Sequence, residues 1–150
     1  MEKGIYTALV TPFKSSGEVD AEKTEFFIER QIKGGVKGVV LVGTTGEAPT
    51  LSREEKDMIV ERAVKKFKGR TTIIAGCGSF DTRQAVSLAK RYGDMGADFC
   101  CPSRPITTSP TTRECIPILL PLQTRLRRPY CFTTCRPARE AVFRCLCSDG

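Results

Sequence analysis

Four short apolar stretches begin near residues 5, 38, 72 and 97, separated by 33, 34 and 25 residues, and a helical pattern fills each interval. Alternation at that pitch produces right-handed βαβ units on a parallel sheet, and both a barrel and a doubly wound sheet accommodate it. The second stretch, Val39-Val40-Leu41-Val42, is unbroken and too short for a helix, so it reads as a strand buried on both faces. It stops at Gly43-Thr44-Thr45-Gly46, whose glycines allow a tight turn with exposed N–H groups. Those N–H groups and two hydroxyls make a small cradle suited to a carboxylate or phosphate. In α/β folds such loops, at the C-terminal ends of strands, are where ligands bind. The bland alternative is an ordinary glycine-flanked turn.

The other elements follow from local signals. Residues 5–10 form a first strand, ended by Thr11-Pro12. A helix runs from Asp20, a good N-cap, to the stop at Gly34-Gly35, with Thr24, Phe27, Ile28, Gln31 and Ile32 on one stripe. Glu22, Glu25, Glu29 and Lys33 lie opposite and read as a solvated face. Ser52-Arg53-Glu54-Glu55 is a capping box opening a helix that carries Val60, Ala63, Val64 and Phe67 inward and ends near Gly69. Residues 71–75 form a third strand, followed by Gly76-Cys77-Gly78-Ser79. A third helix starts at Asp81 or Thr82, turns Thr82, Ala85, Val86 and Ala89 inward, and closes at Gly93 or Gly96. Ala97-Asp98-Phe99 enters a fourth strand.

From Cys100 the pattern changes. Residues 1–99 hold 16 Lys+Arg against 14 Asp+Glu, so most of the net charge of +7 sits in residues 100–150, where every basic residue is arginine. The same segment holds seven of the eight cysteines and seven of the nine prolines, with neither a helical nor a strand period. It is expected to be irregular and poorly ordered. Arg125, Arg127 and Arg128, near Tyr130 and Phe132, are the one basic cluster, with no nucleic-acid-binding motif around it, so no nucleic-acid partner is expected. Cys131-x3-Cys135 and Cys145-x-Cys147 suggest a metal site at first sight, but zinc sites combine C-x2-4-C pairs with His or Cys at set distances and the chain has no histidine, so no metal is expected. No window approaches the roughly 18 apolar residues of a membrane span, and the N-terminus does not read as a signal peptide. No membrane association and a cytoplasmic location are the expectation.

At Gly43-Thr44-Thr45-Gly46-Glu47 the chain resembles the dihydrodipicolinate synthase/N-acetylneuraminate lyase family of class I aldolases. Ala8-Leu9-Val10-Thr11-Pro12-Phe13, Ala75-Gly76-Cys77-Gly78-Ser79 and Gly96-Ala97-Asp98 match in order and spacing. The resemblance implies an incomplete TIM (β/α)8 barrel: three βα units plus the start of strand four over residues 1–99, then the irregular tail over residues 100–150. Thr-Thr between the glycines favours the dihydrodipicolinate synthase branch over the sialic-acid lyases. The implied reaction condenses pyruvate with aspartate semialdehyde through a lysine Schiff base, with no cofactor, in enzymes that are often homo-oligomeric. By resemblance Thr45 holds the pyruvate carboxylate, Thr44 belongs to the proton relay, and Gly43 and Gly46 shape the turn. Glu47 reads as structural, capping or pairing nearby. Cys77 reads as a small buried residue, with no histidine to activate it.

The tail departs from the family in a recognisable way. Read two bases along, codons for Ser103-Arg104-Pro105-Ile106-Thr107-Thr108-Ser109-Pro110 permit T-P-Y-Y-N-K-P, which resembles the family's sequence after strand four. Residues 128–136 read the same way permit the strand-five Y-N-V-P motif. A frameshifted translation is therefore expected from about residue 100. The family's Schiff-base lysine and relay tyrosine lie beyond that point, so the chain is expected to be inactive. A non-catalytic fragment with a polyanion-binding tail is the reading from another class.

Overall fold

The computed structural model describes residues 3–102. Strands β1 (Tyr6–Ala8), β2 (Gly38–Leu41), β3 (Thr72–Gly76) and β4 (Phe99–Cys101) form one parallel sheet in the order β1-β2-β3-β4. Helices α1 (Ala21–Lys33), α2 (Arg53–Phe67) and α3 (Thr82–Met95) connect them, with a short 3-10 turn at Ala48–Thr50. The tail's basic cluster, its five remaining cysteines and both shifted-frame motifs lie outside the described residues.

Successive strand residues point to opposite faces. On one face Val39, Leu41, Ile73, Ala75 and Cys100 join Ile28 of α1, Val60, Ala63 and Phe67 of α2, and Ala89 and Tyr92 of α3. On the other, Val40, Ile74 and Cys101 meet Tyr6, Ala8 and Phe99, all from strands. All three helices thus cover one side, and the strand order never reverses. A doubly wound sheet needs helices on both faces and a reversal of order. This is instead the one-sided winding of a (β/α)8 barrel, with β4 continuing through Cys101.

Helix ends fall where the local chemistry places them. The Asp20 carboxylate accepts from the Lys23 N–H at 2.9 Å, and Asp81 accepts from Arg83 at the same distance. Ser52 and Glu55 exchange both capping-box bonds, at 2.8 and 3.1 Å. Gly96 closes α3 in the left-handed region, at φ +104°. The Asp98 carboxylate receives the Ile73 N–H at 2.9 Å and so joins the entries of β3 and β4.

Two readings of helix faces change. Glu25 and Glu29 are not simply solvated: Glu25 binds Arg62 and Lys66 of α2, each at 2.7 Å, and Glu29 binds Arg70 at 2.7 Å. The parallel packing of α1 beside α2 turns those carboxylates toward a cationic neighbour. On α3 the largest inward side chain is Tyr92, fully buried beside Ala89. Its hydroxyl hid it among the polar positions of the sequence. Among the described residues no helix is long and apolar enough to cross a membrane.

Candidate active site

Parallel strands deliver their following loops to one end of the sheet, so Thr11 after β1, residues 43–46 after β2 and residues 77–79 after β3 are neighbours. The β2 loop is tightly self-bonded. Gly46 N–H and Ala48 N–H both donate to the Gly43 carbonyl, at 3.1 and 3.2 Å, and Glu47 N–H donates to the Thr44 carbonyl at 3.1 Å. The N–H groups and hydroxyls of Thr44 and Thr45 have no hydrogen-bond partner among the described residues, and both residues are exposed. The cradle therefore narrows to these two threonines.

The turn is not made as its glycines lead one to expect. The left-handed residues are Val42, at φ +46°, and Glu47, at φ +53°, which flank the Gly-Thr-Thr-Gly segment. A β-branched residue there is a steric outlier, and such strain, about 1–3 kcal/mol, concentrates at binding and catalytic sites. Gly46 sits in a tight space: a Cβ would meet the Leu9 carbonyl oxygen at 3.1 Å and Thr11 Oγ1 at 3.2 Å, closer than most side chains approach. At Gly43 a Cβ would meet only Val40 Cγ1, at an ordinary 3.6 Å. Nothing in this geometry demands glycine at 43.

A family model described as the dihydrodipicolinate synthetase family matches residues 1–116. The chain belongs to that family. It is 43% identical over 109 residues to the 4-hydroxy-tetrahydrodipicolinate synthase of Protochlamydia amoebophila, covering 73% of this chain and 36% of that protein. To the enzyme of that name from Methanocaldococcus jannaschii it is 45% identical over 111 residues, covering 74% of this chain and 38% of the other. The dihydrodipicolinate synthase of Aquifex aeolicus superposes with a TM-score of 0.81 at 35% identity, over 89% of this chain and 45% of that one. A dihydrodipicolinate synthase from Acinetobacter baumannii, solved with pyruvate, superposes with a TM-score of 0.81 at 33% identity, over 88% and 45%. The chain spans little more than a third of the length of the two synthases it matches in sequence. The matched span passes residue 99, in keeping with a fourth strand that ends at Cys101.

Against this family background the remaining residues sort cleanly. Glu47 does not cap with its side chain; its backbone carbonyl does the work, accepting the Thr50 hydroxyl at 2.8 Å and the Thr50 N–H at 2.9 Å. Cys77 is fully buried, and the adjoining Cys100 thiol together with burial pushes its own thiol well above the ordinary range. A thiol held protonated is a poor nucleophile. The Ser79 hydroxyl serves the start of α3, donating to Gln84 Oε1 at 2.8 Å and accepting the Asp81 N–H at 3.2 Å. Every lysine of the chain falls between residues 3 and 90. All of them are exposed except the half-buried Lys56, and none lies in a strand. Lys37 precedes β2, at the opposite end of the sheet from Thr44. Among the described residues no three His, Cys, Asp or Glu side chains converge as metal ligands.

Sequence reasoning missed the residue that ties the site to β1. Thr11 is buried, and its hydroxyl donates to the Gly46 carbonyl at 2.7 Å. The signal available was a threonine directly before a proline at a strand end, which marks a stop and says nothing of a partner 35 residues away.

Proposed function

We propose that this chain is the pyruvate-gripping portion of a 4-hydroxy-tetrahydrodipicolinate synthase, the cytoplasmic lyase that condenses pyruvate with aspartate semialdehyde toward lysine and diaminopimelate. The observation that carries the reading is the pair Thr44–Thr45 at the C-terminal end of β2, with two N–H groups and two hydroxyls open in consecutive residues. Thr45 N–H and Oγ1 hold the pyruvate carboxylate, supplying donors to an anion where the backbone is already fixed. The Thr44 hydroxyl, which both donates and accepts, passes a proton between the reacting carbon and its relay. No cofactor enters this chemistry. The synthase names carried by the sequence relatives favour this branch over the sugar-acid lyases.

Schiff-base formation needs a lysine amine that is partly neutral, hence enclosed. None of this chain's lysines is buried, so the 150-residue chain binds pyruvate without condensing it. Beyond about residue 100 the chain reads as a frameshifted tail, and nucleotide sequence lacking the T-P-Y-Y-N-K-P frame would remove that part of the reading.

Titration of the isotope-labelled chain with millimolar pyruvate tests the grip. The amide resonances of residues 44 and 45 shift in the native chain, and saturating them takes more pyruvate in Thr45→Val, which keeps the N–H and loses the hydroxyl. Unmoved resonances in the native chain would sink the proposal. Borohydride reduction with pyruvate leaves the intact mass unchanged, and a stoichiometric adduct on any lysine contradicts the inactivity.

A further inference from the structure

We propose that Thr11 and Gly76, neither of which touches substrate, are the positioning residues that set the direction of the Thr44 and Thr45 N–H groups. The inference rests on the pyruvate-gripping role given above to those threonines. The loop is held on both flanks. From the β1 side the buried Thr11 hydroxyl donates to the Gly46 carbonyl at 2.7 Å, which fixes the plane of the peptide joining Gly46 to Glu47. A Cβ added at Gly46 would crowd the same hydrogen bond, meeting the Leu9 carbonyl oxygen at 3.1 Å and Thr11 Oγ1 at 3.2 Å. From the β3 side, the space a Gly76 side chain would fill is occupied by the Val42 carbonyl, with Gly43 Cα at 3.0 Å. Any Cβ there forces the Val42–Gly43 peptide to shift away from β3.

Two peptide planes are thus set by neighbouring strands, and only residues 43–46 lie between them. The left-handed φ of Val42 and of Glu47, +46° and +53°, occurs at just these two fixed ends. A strained backbone persists only where its surroundings over-determine it. Here the constraint comes from the Thr11–Gly46 hydrogen bond and from Gly76, whose lack of a side chain leaves the space that the Val42 carbonyl occupies against β3. The open N–H groups of Thr44 and Thr45 consequently point where the flanking strands aim them, before any anion arrives.

The test uses the full 150-residue chain with Thr11→Ser, Thr11→Val, Gly76→Ala and Thr45→Val, pyruvate as the probe, and two nuclear magnetic resonance readouts. The first is pyruvate affinity from the amide shifts. The second needs no ligand: the strong intra-residue HN–Hα contact that marks left-handed backbone at Val42 and Glu47. Thr11→Ser keeps both. Thr11→Val and Gly76→Ala weaken pyruvate about tenfold and lose the left-handed signature, while the resonances of α1 and α2 stay in place. A Thr11→Val chain with native affinity, or with Val42 and Glu47 still left-handed, overturns the proposal. So does global unfolding of both Thr11→Val and Gly76→Ala, which would make these residues structural. If the native chain binds no pyruvate, the gripping role fails, and the backbone signature still decides whether Thr11 and Gly76 position the loop.

Discussion

Arg91 of α3 places both Nη2, at 2.6 Å, and Nε, at 2.8 Å, on one oxygen of Asp57 of α2, while the other oxygen, Oδ1, is enclosed without a hydrogen-bond partner among the described residues. The pair joins α2 and α3, which also share an apolar cluster through Val60, Ala63, Phe67, Ala89 and Tyr92. Arg91→Ala leaves a nearly buried carboxylate with no counter-charge and destabilises the chain. Asp57→Asn combined with Arg91→Ala recovers most of that loss, because the stranded charge is gone. Urea midpoints of the native chain, Arg91→Ala and the double variant check the order. Equal midpoints for the last two would show that the enclosed charge carries no penalty.

The Tyr92 hydroxyl, close by, is fully buried and likewise has no hydrogen-bond partner among the described residues. Burial, with Asp57 adding, raises its ionisation above the ordinary phenol range, so it stays neutral. Its ring supplies packing, and its oxygen costs desolvation. Tyr92→Phe is expected to be neutral or stabilising by up to about 1 kcal/mol. Tyr92→Ala opens a cavity and costs about 3–5 kcal/mol. Thermal unfolding of both variants separates the ring from the hydroxyl.

Glu25 gives the chain a pH dependence. The Lys66 hydrogen bond, assisted by Arg62 and opposed by burial, holds its carboxyl below the usual 4.5. A carboxyl depressed in the folded state contributes stability that is present above its unfolded pKa and is lost as pH falls through the folded one. The native chain therefore exceeds Glu25→Gln in denaturant midpoint at pH 7, and the gap closes on acidification below about pH 4.5. A gap of constant size down to pH 2 would remove the ion-pair account.

Cys77 and Cys100 are buried with their thiols together. Iodoacetamide at pH 8 is expected to spare both in the folded chain and to label both in urea, since only exposed thiolate reacts. Peptide mapping by mass assigns each site. Rapid native labelling of Cys77 would mean that the β3 loop opens readily.

Much of the barrel was legible because its signals are local. Asp20, Ser52, Asp81 and Gly96 terminate helices using atoms within a few residues, so the helix ends fall where capping chemistry puts them. The stripe of Val60, Ala63, Val64 and Phe67 is buried as its period demands. The site was half legible. Thr44 and Thr45 emerge as the open donors, but the strain lies at Val42 and Glu47, because a left-handed backbone at a valine is imposed from outside and leaves no mark in composition.

The amino-acid sequence alone determined the succession of strands and helices, their ends and the Gly-Thr-Thr-Gly loop, since periodicity and capping are satisfied within one or two turns of chain. Tertiary structure alone decided that α1, α2 and α3 lie on one face of the sheet, that Glu25 reaches Arg62 and Lys66, that Arg91 finds Asp57, and that Thr11 grips Gly46. Those partners stand 34 to 41 residues apart in the chain. Contacts over that distance exist only once β1, β2 and β3 are side by side, and no local pattern of residues encodes them.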